Sequence, residues 1–239
     1  MFKRVDELSS ALKNIRNQLD NEPSQEQPPL LLVELSIVML FLFGLTFIVG
    51  GVAFGIPIVY ILVDFVRRGR RKEDLGLRKE SFVRDLQKNA NLVILGVIVI
   101  QSVIILGSLM LFPPYLQYVR THRAWSIDMS FGAFIPLLFS IPLTTMLEEV
   151  VFRGLVQERL SWFFNKRTSL IIASFLFAAI HWTPDDPFII LIDLIAIATG
   201  GIVYGLIYMR CRNVYIAWFA HMFSDLHGIF LLFVIFNIL

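Results

Sequence analysis

Residues 142–164, PLTTMLEEVVFRGLVQERLSWFF, constrain this chain more than any other stretch. Glu148, Glu149 and Arg153 interrupt an otherwise apolar helical pattern. An ionisable side chain at membrane depth costs about 2.5–3.5 kcal/mol or more on insertion scales. A helix that keeps three must satisfy them inside a bundle. The medium follows from composition: of 239 residues 56% are hydrophobic, 22 are Phe, and the mean hydropathy is +0.71. That apolar content exceeds what a soluble core of this size needs, so the chain reads as an integral membrane protein. Cys211 is the sole cysteine, which rules out an internal disulfide.

The expected fold is all-α: a polytopic transmembrane bundle of about six spans, with a catalytic core in the last four helices. Three regions are expected. Residues 1–29 are polar, and Phe2, Val5, Leu8, Leu12, Ile15 and Leu19 mark one face of an amphipathic helix. Pro23, Pro28 and Pro29 then form a linker. Residues 30–127 hold two spans with a basic loop between them. Residues 30–66 are long for a single crossing of ~20 residues and short for two, and one long tilted helix is the favoured reading. Glu34 and Asp64, near its ends, read as interfacial. Arg67, Arg68, Arg70, Arg71 and Lys72 follow, which makes this loop cytoplasmic and a contact for anionic lipid head groups.

The second span covers residues 91–112 and stops at Pro113 and Pro114; the stretch to about Trp125 is expected outside. Residues 128–239 form the core. The third hydrophobic segment runs to Phe164 with a kink at Pro142, and further spans are expected at 169–182, 188–209 and 214–239. Basic turns at 165–167 and 210–213 fall on the cytoplasmic side by alternation.

Polar groups within these apolar runs repeat a four-residue spacing: Glu149 and Arg153, Phe177 and His181, His221 and Asp225. Each pair shares a helix face. Glu148 lies 17 residues before Asn165 and His181 lies 16 after it, so continuous helices set them at nearly one height. His221, nine residues past Arg212, falls about 10 Å nearer the cytoplasm on the same rise, a gap that tilt must close.

The chemistry such a set suits is water activation. A carboxylate stripped of water holds a proton more tightly than one in solution, and a histidine beside it can share that proton. A second histidine, oriented by a carboxylate one turn away, can donate to a developing oxyanion. Arg153 next to Glu149 reads as an ion pair that fixes the helix. Two histidines and a glutamate are also the set a catalytic zinc would need, although the tight His-Glu-x-x-His spacing is missing. Asp193 reads as an outer-interface or bundle residue, and His227 as a packing histidine. Gly201 and Gly205 have the spacing of close helix packing.

Taken together, EEVVFR (148–153), FAAIH (177–181) and HMFSD (221–225) resemble the motifs of the CAAX protease and bacteriocin-processing family of intramembrane proteases, also called the abortive-infection family. The resemblance covers about residues 140–228. Upstream, Asp-Leu-Gly-Leu (74–77) is similar to a common family feature. The resemblance implies that Glu148 and His181 activate the attacking water, that His221 and Asp225 stabilise the oxyanion, and that Glu149, Arg153 and Phe177 support them. It favours a metal-free glutamate mechanism over zinc. Where prenyl-protein proteases usually carry Asn, this chain has Asp225, which the wider family accepts; an ionised Asp cannot donate to an oxyanion, so here it either orients His221 or is protonated.

The expected activity is therefore an intramembrane endopeptidase acting on a membrane-associated protein or peptide, of CAAX type or in leader or pheromone processing. The alternatives are a non-catalytic bacteriocin immunity or partner-binding protein and, less favoured, a proton-coupled transporter. The expected setting is the lipid bilayer of a bacterial plasma membrane, with no nucleic-acid partner; the oligomeric state stays open.

Overall fold

A computed structural model describes residues 28–123 and 134–238 of the chain. The amphipathic stripe of residues 1–27, and the start of the third hydrophobic segment, lie outside the described residues. Every regular element described is helical: α1 (Pro28–Val49), α2 (Gly55–Arg68), α3 (Phe82–Ile94), α4 (Gln101–Leu111), α5 (Pro113–Tyr118), α6 (Phe134–Glu149), α7 (Glu158–Leu160), α8 (Lys166–Ala179), α9 (Pro187–Cys211) and α10 (Val214–Ile238). A π-helical stretch, Leu95–Ile100, joins α3 to α4, and another, Val150–Gln157, joins α6 to α7. Five helical runs are long and apolar enough to cross a bilayer: Pro29–Arg68, Lys79–Ser108, Ile135–Leu160, Pro187–Cys211 and Val214–Ile235. With the shorter α8 the bundle reaches about six spans.

The first run is not one tilted helix, and here the structure corrects the sequence reading. Glu34, near the start of α1, accepts hydrogen bonds from Tyr60 Oη at 2.9 Å and from Arg68 Nη2 at 2.8 Å, both on α2. A straight helix would hold residues 34 and 68 about 50 Å apart. The run instead folds back as a hairpin through Gly50, at φ +60, and the 3-10 turn Gly50–Phe54. Glycine adopts that left-handed conformation without the steric penalty other residues meet. The ion pair at the open end rewards the closure. Residue 28 therefore enters the bundle at the same face as the basic loop.

The second span also begins earlier than expected. Helix α3 starts at Phe82 because its polar first turns are buried against the turn between α9 and α10. Asn213 donates through Nδ2 to Arg78 O at 2.9 Å and to Asp85 Oδ2 at 3.0 Å, and Val214 N donates to Gly76 O at 2.8 Å. Gly76 (φ +79) cannot be replaced cheaply there, since an added Cβ would stand 2.8 Å from the Tyr208 ring and 2.9 Å from Arg212 O. The Asp-Leu-Gly-Leu stretch is thus a fitted plug between the basic turns. Arg159 of α7 also reaches Asp64 of α2, and Arg212 reaches Glu158. The three basic turns meet at one end of the bundle.

Local chemistry sets the helix starts in the core. Asn165 caps α8, accepting from Arg167 N at 3.1 Å and Thr168 N at 3.0 Å. Asp186 caps α9 in the same way, with Pro187 at its first position. The stretch after Pro113, expected on the outer side, forms the short helix α5, which packs into the bundle. Its Tyr115 and Tyr118 are buried, and both hydroxyls donate to Asp193 at 3.3 Å.

Candidate active site

Helices α6, α8, α9 and α10 bring the polar residues of the core together around His221. Glu149 and Arg153 are both 0% exposed, and Arg153 Nε donates to Glu149 Oε2 at 2.9 Å. The second oxygen of Glu149 accepts from His221 Nδ1 at 2.9 Å. With Nδ1–H given to Glu149, His221 turns Nε2 toward Glu148 Oε2 at 3.8 Å and Asp225 Oδ2 at 3.6 Å. The sequence reading gave the orienting role to Asp225; the closer partner is Glu149. The reason is rigidity, since Arg153 locks the Glu149 carboxylate whereas the Asp225 side chain is 43% exposed.

The 10 Å height gap expected between Glu148 and His221 is not present. The segment leading from Glu149 to the cytoplasmic turn is π-helical over Val150–Gln157. The main reason for the missing gap is that the helical run ends at Leu160, so the turn residues up to Asn165 add no rise; the π-helical stretch, whose wider turn advances less per residue, lowers Glu148 a little further. Such segments concentrate at functional sites. Gly154 permits this one to lie against the cytoplasmic loop, because a Cβ there would be 2.8 Å from Leu75 O.

His181 stands just past the end of α8 rather than on its last turn. Its Nδ1 donates to Phe177 O at 2.8 Å, so in the neutral ring Nε2 carries the lone pair. The Phe177 ring lies between the two histidines, with centroids 4.8 Å from His181 and 5.6 Å from His221, edge-on to each. The guanidinium of Arg153 sits 5.3 Å from the same ring.

Two supporting residues escaped the sequence reading. Tyr204 of α9 stacks on His221 with centroids 4.7 Å apart and planes 19° from parallel. Gln157 donates to Gly205 O at 3.0 Å across the helix interface. The only signal in the sequence was the small-residue spacing of Gly201 and Gly205. These glycines do more than shorten a helix contact. A Cβ on Gly201 would be 3.2 Å from Phe177 Cδ1, and one on Gly205 would be 2.3 Å from Leu170 Cδ1 and 3.5 Å from Arg153 Nη1. Their small size seats the site's own side chains.

The remaining polar candidates lie apart from His221. His227 pairs with Ser102 Oγ at 3.0 Å, and His122 lies 3.8 Å from Asp185 while stacking on Tyr118. Asp193 belongs to the tyrosine pair of α5. Among the described residues, no group of three or more His, Cys, Asp and Glu side chains is arranged to hold a metal ion.

The helices that carry this arrangement are also the ones that comparison with known families selects. Residues 130–227 match the Rce1-like family of type II CAAX prenyl endopeptidases. The Rce1-like segment contains Glu148, Glu149, Arg153, Phe177, His181, Tyr204, His221 and Asp225, and excludes the N-terminal hairpin. The match indicates a protease of the membrane, and with it a hydrolase of membrane-associated protein substrates. No curated protein and no solved structure is significantly similar to the chain.

Proposed function

We propose that this chain is an intramembrane endopeptidase that hydrolyses a peptide bond of a membrane-associated protein or peptide with water activated by Glu148 and His181. The observation that carries the reading is one imidazole, His221, within 3.8 Å of three carboxylates inside a lipid-embedded bundle. A structural cluster would balance those acids with cations; this one leaves protons to be shared. Glu148 takes a proton from water as its oxygen attacks the scissile carbonyl, with His181 holding the water. His221 Nε2–H donates to the oxyanion that forms, steadied by Glu149 on its other nitrogen and by the stacked Tyr204. Glu148 then passes its proton to the departing amine, which balances the reaction. No step calls on a metal. The substrate class consistent with the Rce1-like match is a CAAX-type tail, with leader or pheromone peptides as the related class.

The test compares a deletion strain with strains carrying Glu148→Gln or His181→Ala. Membrane proteins and secreted peptides that go unprocessed in the deletion strain should go unprocessed in both variants, with normal amounts of protein in the membrane. Full processing in both variants would end the protease reading. A non-catalytic immunity protein would keep its effect in Glu148→Gln. Activity of the purified protein should survive a chelator, and loss that zinc restores would overturn the metal-free mechanism.

A further inference from the structure

The hairpin α1–α2 lies outside the Rce1-like segment, yet its tip is joined to the histidines by a line of aromatic rings. Phe54 closes the turn at the tip and meets Phe152 of the π-helix with centroids 6.4 Å apart at 63°. Phe152, 0% exposed, meets Phe177 at 5.2 Å and 78°. Phe177 in turn stands edge-on to both His181 and His221. Edge-to-face pairs prefer defined geometries, so in a close-packed core each ring limits the tilt of the next.

We propose that Phe152 is a positioning residue for His181 and His221, and that the N-terminal hairpin acts through Phe54 as its buttress. The inference rests on the catalytic reading of the two histidines only for its consequence; the positioning is a matter of geometry. The rings move no proton. They set the distance between the two imidazoles by holding Phe177 between them. The hairpin is anchored for this task at its far end, where Arg159 pairs with Asp64 and Arg68 with Glu34. Its second helix, α2, also packs against the π-helix, with Ile61 in the same buried cluster as Phe152. A hairpin with no motif of the family is thereby part of the working site.

The test reads the imidazoles directly in the full-length protein in detergent. Diethyl pyrocarbonate modification of each histidine is followed by mass spectrometry in Phe54→Leu, Phe152→Leu and Leu42→Ala. Leu42 is fully buried in the hairpin core but lies off the ring line, so Leu42→Ala reports general loosening. The expected result is a change of about fivefold or more in the modification rates of His181 and His221 in Phe152→Leu, and about twofold in Phe54→Leu. His122 should not change in either, and Leu42→Ala should leave all three rates alone while lowering thermal stability. Where cleavage is followed, kcat should fall about three- to tenfold in Phe152→Leu with KM within twofold. Unchanged rates in a folded Phe152→Leu, or equal changes in Leu42→Ala, would overturn the proposal. If Glu148→Gln proved fully active, the endopeptidase reading would fall while these rates still decided the positioning.

Discussion

Two clusters of buried charge lie along the same helical run, and they are balanced in opposite ways. At the end of the bundle that carries the basic turns, Asp64 accepts from Arg68, Arg70 and Arg159, and Glu34 pairs with Arg68 and Arg67. There guanidinium groups outnumber carboxylates. Deeper in the bundle Glu148, Glu149 and Asp225 surround His221, and Arg153 supplies the guanidinium. There carboxylates outnumber cations. A carboxylate enclosed by guanidiniums has its oxygens filled and its charge balanced. Carboxylates crowded with too few cations keep acceptor oxygens that no guanidinium fills. Buried charge alone therefore does not mark a reactive site; the sign of the imbalance does.

The sharpest way to break this comparison is to neutralise one acid in each cluster. Glu148→Gln should lower the cleavage rate by about 10²–10⁴-fold, the usual worth of general acid–base catalysis, with little change in melting temperature. Glu148 is 18% exposed and its amide can still be solvated. Asp64→Asn should do the reverse. It leaves Arg68, Arg70 and Arg159 facing one another, and breaking a buried pair of this kind costs about 3–5 kcal/mol. Thermal unfolding should report that loss, while turnover per folded molecule stays within about twofold. If Asp64→Asn removed turnover as Glu148→Gln does, the division into structural and reactive clusters would fail.

A smaller effect sharpens the point that the reactive cluster depends on small residues around it. Gly205→Ala would set a methyl 2.3 Å from Leu170 Cδ1 and 2.8 Å from Gln157 Oε1. Overpacking of this kind costs about 1–3 kcal/mol. Helices α8 and α9 must part, and with them the seat of Arg153. Gly44→Ala, where an added Cβ meets nothing within 4 Å, is the matched control and should be close to neutral. Since Ala favours a helix over Gly by about 1 kcal/mol, an equal loss in both would mean that the close fit around Arg153 does not set the cost.

Much of this was legible in the residues themselves. Hydropathy and the basic turns mark the long apolar runs and the end where those turns gather, and the four-residue spacings single out Phe177 and Asp225, which both face His221. What the sequence hid follows from two local causes. One is backbone geometry: the helical run ends at Leu160 and is π-helical over Val150–Gln157, so counting every residue to Asn165 as α-helical rise set Glu148 about 10 Å too far from His221. The same limit hid the hairpin, because residues 30–66 carry the length of one tilted span, and it is the turn at Gly50 with the Tyr60 and Arg68 bonds to Glu34 that shows the fold back. The other is partner choice. Glu149 has Arg153 four residues on and His221 far away in sequence, and helical spacing reveals the first and is silent about the second. Tyr204 was invisible for the same reason, since one aromatic side chain in an apolar helix carries no mark of what it stacks upon.

The smallest effect concerns Asp225, the residue through which the two clusters can be compared most finely. It shares a helix face with His221, yet stands 3.6 Å from Nε2 and keeps a side chain 43% exposed, unlike the enclosed Asp64 and Glu149. Its negative charge adds to the excess of acid around Nε2, but His221 is already held from its other nitrogen by Glu149. Asp225→Asn removes that charge and replaces it with an amide that can donate to an oxyanion. The two consequences oppose each other, so turnover should change by no more than about tenfold, roughly 1.4 kcal/mol in either direction. Measured in parallel, Glu149→Gln should cost far more, because it removes both the partner of Arg153 and the brace of His221. A loss in Asp225→Asn as deep as that in Glu149→Gln would mean that the carboxylate nearer the surface, not the locked one, sets the orientation of the imidazole.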